Sequence, residues 1–249
     1  MKKIHIVLFR DFRELRRTSA FWIVVIIFAL LAIGTAGIIS ISLSHATWLR
    51  EETGKFMLEL IIGIIVYFIT LFAPMTTIWA FASVPITKEK VNGNIDSLLS
   101  TPLSPKTIWM AKSLSIFLPG WIIGIATTLI VVLTINLSAI IPATGRFILP
   151  APVQFIGLLT NPLLFFGLTA LTLLISLAYH PDTALIPVFL IGFGLMIGIP
   201  VGLALNVIDL TSWSFAFYNL AAAIAIWVVV CFLSPLLTKE KIALSSKGD

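Results

Sequence analysis

Charge is the scarcest thing in this chain. Only 11% of its 249 residues are Asp, Glu, Lys or Arg, while 59% are hydrophobic; a water-soluble domain carries about 25% charged residues. That shortage excludes a surface facing water on all sides, and it points to an integral membrane protein. Cysteine is almost missing too. The one present, Cys231, lies inside an apolar run, which excludes a disulfide framework and any multi-cysteine metal centre. The three histidines, His5, His45 and His180, fall in three separate segments and form no metal-ligating group. Composition therefore defines a class and leaves the activity open.

What is present is a series of long apolar runs. A helix needs ~20 residues to cross the hydrocarbon core, and six segments reach that length: 20–43, 59–84, 113–137, 155–177, 185–208 and 213–237. In lipid each backbone amide must be satisfied within its own segment, so runs this long read as helices and not as the short alternating strands of a barrel. The sequence thus predicts a single all-α domain over 1–249, with six transmembrane helices. The first run is too long for a secretory signal and is followed by Arg50, Glu51 and Glu52 without a cleavage site, so it is expected to be retained. Thirteen of the sixteen Lys and Arg residues fall on one side if the N-terminus is cytoplasmic, leaving Arg50, Lys55 and Arg146 outside. This bias predicts a multi-pass protein of the cell membrane with both termini cytoplasmic. It also accounts for the net charge of +5, so nucleic-acid binding is not expected.

The predicted spans carry no ionisable group at mid-depth. Glu59 begins the second and Lys112 the third, and both can snorkel to an interface. An ion-coupled transporter would bury an acid or break its helices around an ion, and a membrane hydrolase would group acids, or a histidine with a nucleophile. Neither arrangement is present, so no catalytic residue and no metal site is predicted. Intramembrane hydroxyls such as Thr70, Thr76, Thr77, Thr127, Thr128 and Thr134 read as intrahelical bonders before cargo contacts. A phosphate-cradling loop is missing as well. Gly54-Lys55-Phe56 has Leu49 at the first glycine position and Phe56 in place of the hydroxyl. Any uphill transport would therefore draw its energy from another subunit.

Two regions on the expected cytoplasmic side carry information. Residues 1–19 place Ile4, Leu8, Phe12 and Leu15 at helical spacing, with Arg10, Arg13, Arg16 and Arg17 mainly on the other sides. This predicts a basic amphipathic helix lying along the membrane lipid; it would serve as a plain topology anchor or also pack on a cytoplasmic partner. The second region is 85–107. Gly93 permits a tight turn, Asn94 is a good N-cap, and Asp96 suits the positive end of a helix starting at Ile95. Thr101 precedes Pro102 and must leave the α region, after which Ser104 and Pro105 start the next helix. The product is a two-turn helix over 95–100 with Ile95, Leu98 and Leu99 as an apolar ridge, fit to dock on the protein's own helix ends or on another subunit.

The run of Glu89, Gly93, an N-cap at Asn94, Ile95, Asp96, Leu98, Leu99, Thr101-Pro102-Leu103-Ser104 and then Lys112 resembles the signature of the ABC type-2 permease family. Asn94 and Asp96 stand where that family usually has Thr and Glu. The resemblance implies a six-span exporter subunit with an amphipathic interface helix that includes Phe12, Arg13, Arg16 and Arg17. It also implies a coupling helix at 95–100 that docks on a separate ATPase subunit, present in two copies, where ATP and Mg2+ bind; this chain would hold no cofactor. By the same resemblance, the loop around His180, Pro181 and Asp182 is a weaker contact, and a second permease copy or a related permease would complete the path.

Gly194, Gly198 and Gly202 in span five, and Gly120 and Gly124 in span three, recur every four residues, a spacing that allows close helix approach. They serve packing within the chain or, for span five, contact with a second copy. Pro200 interrupts the span-five ridge and is expected to bend it. The stretch 138–154, with Pro142, Pro150 and Pro152, is expected to form a small external cap. Asn136-Leu-Ser138 matches a glycosylation acceptor. Within the family, Pro119 early in span three also fits a haem-exporter-like subunit of cytochrome c maturation; from another class, a non-transporting scaffold subunit would share the lack of catalytic groups.

Overall fold

The computed structural model describes residues 2–50, 52–81, 103–178, 184–240 and 242. All regular structure among them is helical. Helix α1 spans Lys2–Arg16, and six helices long and apolar enough to cross a membrane follow: α2 (Ser19–Ser44), α3 (Glu52–Phe81), α4 (Pro105–Thr144), α5 (Ala151–Ala178), α6 (Ile186–Ala204) and α7 (Trp213–Leu236). The chain is a multi-pass membrane protein.

Helix starts are set by local chemistry. Thr18, Ser104 and Ser212 each accept a hydrogen bond from the amide three residues on, Phe21, Thr107 and Phe215, and so satisfy one of the free donors of α2, α4 and α7. Pro105 follows Ser104 in the first turn, where its missing N–H costs nothing.

Burial divides the spans into two classes. In its most apolar stretch α5 is 72% buried, against 22% for each of α2, α6 and α7. Helices α3, α4 and α5 therefore form the interior, with the other three around them. Lipid offers no hydrophobic gain for helix association, so close backbone approach has to supply the attraction. Gly120 and Gly124 of α4 do this against α3: a Cβ on Gly120 would collide with the Thr77 hydroxyl and lie 2.9 Å from Pro74 Cα, and one on Gly124 would lie 3.1 Å from Ala73 Cβ. Trp227 of α7 donates to the Leu163 carbonyl of α5 at 3.0 Å, beside Gly167.

A buried amide chain ties three spans together. Asn219 of α7 donates to Asn161 Oδ1 at 2.7 Å and to Thr160 Oγ1 at 2.9 Å, and Asn161 of α5 donates to Thr70 Oγ1 of α3 at 2.9 Å. In hydrocarbon these groups have no water to turn to, so satisfied bonds fix the rotation of each helix against the next. Thr70, Thr76 and Thr77 also donate to carbonyls of their own helix, as the sequence predicts.

The two ends of the bundle are built from different sets. Leu15, Phe81, Trp109, Leu177, Leu237 and Ile242 share one apolar cluster, so α1, both flanks of 82–102, the end of α5 and the last described residue meet at one end. Leu43, Leu49, Leu58, Ile140 and Val153 share another cluster, which places the turns at 45–50 and 145–150 at the opposite end.

That opposite end corrects the expected external cap. Helix α4 runs on to Thr144 and α5 starts at Ala151, so only 145–150 is loop. Pro152 lies in the first turn of α5, where proline is tolerated, and Pro142 sits in the last turn of α4, just past the wide turn at Asn136–Ile140. Gly145 takes φ of +70° to end α4, its amide bonding to the Ile141 carbonyl. Asn136 then grips the returning chain: its Nδ2 donates to the Ile148 carbonyl at 3.2 Å while its Oδ1 accepts from the Ile148 amide at 2.8 Å. Asn136 is fully buried, so the glycosylation pattern there has no accessible amide. Replacing Asn136 by alanine strands both backbone groups of Ile148. The expected loss is about 2 kcal/mol, read as a lower unfolding temperature together with faster proteolysis between 144 and 151.

Candidate functional site

The α1 end of the bundle combines charge with burial. Helix α1 turns one side to the foot of α4, with Val7 and Leu15 buried and Asp11 between them on the same side. The sequence stripe of Ile4, Leu8, Phe12 and Leu15 is thus rotated relative to the packed side, which runs 7, 11, 15. Phe12 is half-buried, while Arg13, Arg16 and Arg17 are exposed.

Asp11 uses both carboxylate oxygens. Oδ1 accepts from Arg10 Nη2 at 2.8 Å and from Nε at 3.0 Å, and Oδ2 faces Lys112 Nζ at 3.4 Å. The Lys112 side chain is only 4% exposed and that of Asp11 12%. Taking an ammonium out of water is costly unless a countercharge meets it, and Asp11 supplies one from 101 residues away in the chain. One turn before Lys112, the Trp109 indole donates to the Ala170 carbonyl at 2.7 Å, pinning α4 to α5. The foot of α4 is therefore fixed on two sides by polar contacts set in an apolar cluster.

Of the residues singled out in the sequence, the structure brings Lys112 to α1 and leaves the arginines of α1 facing outward. Glu89, Gly93, Asn94, Ile95, Asp96, Leu98, Leu99 and Pro102 lie outside the described residues, as do His180, Pro181 and Asp182. Their flanks, Phe81 and the start of α4 on one side and the end of α5 on the other, belong to the α1 end. Gly194 and Gly198 face open space, with nothing within 4 Å of an added Cβ, whereas Gly202 packs on Ile208 of its own turn. Leu190, Ile197 and Val201 are exposed along the same helix, and α6 continues unbroken through Pro200. Sequence reasoning missed Asp11. An acid on the side of α1 that carries Val7 and Leu15 was the available signal, but its partner is too distant in sequence for any spacing rule to find.

The opposite end holds a second concavity. A cavity of about 560 Å³ is lined by Leu49, Lys55, Glu59, Arg146, Phe147 and Pro150 among others. Beside it, an apolar groove of about 220 Å³ runs between α3, α4 and α5. No group of three or more His, Cys, Asp or Glu residues able to hold a metal occurs among the described residues.

Comparison with protein families, curated proteins and solved structures finds no match to this chain.

Proposed function

We propose that this chain is the permease subunit of an ATP-driven exporter of the ABC type-2 kind, with both termini cytoplasmic and the α1 end facing the cytoplasm. The observation that carries this reading is the foot of α4. The short ridged helix expected at 95–100 is followed within a few residues by a span whose first turns are clamped to α1 through Lys112 and Asp11 and to α5 through Trp109. A push delivered to that segment has a stiff element to act on.

In this reading Ile95, Leu98 and Leu99 enter a groove on an ATPase subunit, in the helix-in-groove manner, and ATP and Mg2+ are held by that subunit. Gly93, Asn94, Asp96 and Pro102 shape and bound the helix, while Glu89 lies on its approach. Phe12, Arg13, Arg16 and Arg17 place α1 at the lipid boundary. Two permeases and two ATPases complete the assembly, and the uncovered side of α6 at Gly194 and Gly198 is available for the second permease.

Purification of the full chain from its native membrane is expected to bring an ATPase with it. Leu98→Asp with Leu99→Asp puts two charges on the ridge and is expected to abolish that association, with the permease still folded by its unfolding temperature. A complex unchanged by the double substitution overturns the reading, and so does the absence of any ATPase or of ATP-dependent flux in vesicles holding both subunits.

A further inference from the structure

We infer that the end of the bundle opposite α1 carries a phospholipid site, with the lipid phosphate at Arg146 and one acyl chain in the groove between α3, α4 and α5. Two concavities of opposite character meet there and share Leu149 as a wall. The larger is about 560 Å³, within the usual range for a small-ligand site. Its charged lining is Lys55, Glu59 and Arg146; Lys55 lies 3.8 Å from Glu59. That pairing leaves Arg146 as the uncompensated charge, since among the described residues it has no ion-pair partner.

Arg146 is also held in place. Thr144 Oγ1 accepts from the Arg146 amide and donates to its carbonyl, and two residues on Asn136 grips both backbone groups of Ile148. A guanidinium presented from a fixed backbone beside an apolar slot suits a phosphate with a hydrocarbon tail.

The smaller concavity supplies the slot. Its walls include Val66 of α3, Ile125 and Leu129 of α4, and Gly157 and Leu158 of α5. It runs from the loop at Leu149 down two turns of α4, and the exposure of Leu129 and Leu158 shows that it opens sideways. Gly157 sets the back of the slot, where α5 packs directly on α3: a Cβ there would come within 2.8 Å of Val66. The membrane is the ready source of a molecule with this shape. The inference does not depend on the exporter reading, because no ATPase enters it.

The test uses the full chain in a neutral detergent and three probes: lysophosphatidylglycerol, a monoacylglycerol of the same chain length, and glycerol phosphate. Lysophosphatidylglycerol is expected to bind at least about tenfold more tightly than either of the others, since one lacks the charge-assisted contact and the other the buried chain. Arg146→Gln is expected to remove that advantage over the monoacylglycerol, and Arg146→Lys to keep part of it. Leu129→Trp, at an exposed position, is expected to block the chain while leaving the unfolding temperature unchanged. Equal binding of lysophosphatidylglycerol and monoacylglycerol, or an unaltered preference in Arg146→Gln, overturns the phosphate assignment. Glycerol phosphate binding as tightly as the lipid overturns the groove assignment and leaves a site for free phosphate esters.

Discussion

Gly120→Ala is expected to lower the stability of the bundle by about 2 kcal/mol even though alanine is the better helix former. The helix preference favours the substitution by about 1 kcal/mol. Against it stands overpacking, about 1–3 kcal/mol and occasionally more. The upper part of that range applies here because one of the colliding atoms is backbone: the new methyl would lie 2.9 Å from Pro74 Cα as well as striking the Thr77 hydroxyl. Shortening the neighbour with Thr77→Ala removes one collision but not the other, so it should rescue only in part. Gly198→Ala is the control. Nothing lies within 4 Å of its added Cβ, and the isolated chain should be as stable as the parent or slightly more so. Thermal unfolding in detergent reads all three. A Gly120→Ala variant as stable as the parent would show that α3 and α4 do not pack at this distance.

Asp11→Ala is the second large effect, an expected loss of about 3 kcal/mol, the lower bound for breaking one side of a buried ion pair. The cost is the loss of a countercharge beside a buried ammonium and not the attraction itself. Lys112 is 4% exposed and cannot easily reach water, while Arg10 on the other side of the carboxylate is about half exposed. Adding Lys112→Met removes the buried charge itself and should restore most of the stability, because a methionine fills the same space without desolvation. The double-substituted chain thus separates two contributions: stability returns, while the fixed link between α1 and α4 stays lost. If Asp11→Ala alone leaves the unfolding temperature unchanged, Lys112 does not depend on Asp11 for its countercharge.

The spans were legible because hydropathy is a local property. The first was expected at 20–43 and is Ser19–Ser44; the last was expected at 213–237 and is Trp213–Leu236. The third was expected at 113–137 and runs Pro105–Thr144. Lys106 and Lys112 interrupt the apolar window at one end, and Pro142 reads as a breaker at the other, although α4 passes through it just after the wide turn at Asn136–Ile140. The cap on α4 was legible for the same local reason, a Ser–Pro pair with one mechanism. The packed side of α1 was not. Periodicity found an apolar stripe, but the side facing α4 is selected by Asp11 meeting Lys112, a pairing across 101 positions. The outward aspect of Gly194 and Gly198 was equally invisible, since small residues at a spacing of four mark closeness to something without saying to what.

The turns at Asn136–Ile140 and Ile156–Thr160 close with bonds five residues apart, Ile141 to Asn136 and Asn161 to Ile156. Each adds one residue beyond the α repeat, and one residue is about 100° of azimuth. They lie at matching depths on the two arms joined by the loop at 145–150, so both arms change phase together. Residues beyond them form a collar out of step with the trunk, and counting by fours or sevens across that seam assigns side chains to the wrong quadrant. Deleting one residue within a single arm would swing that half of the collar against the other.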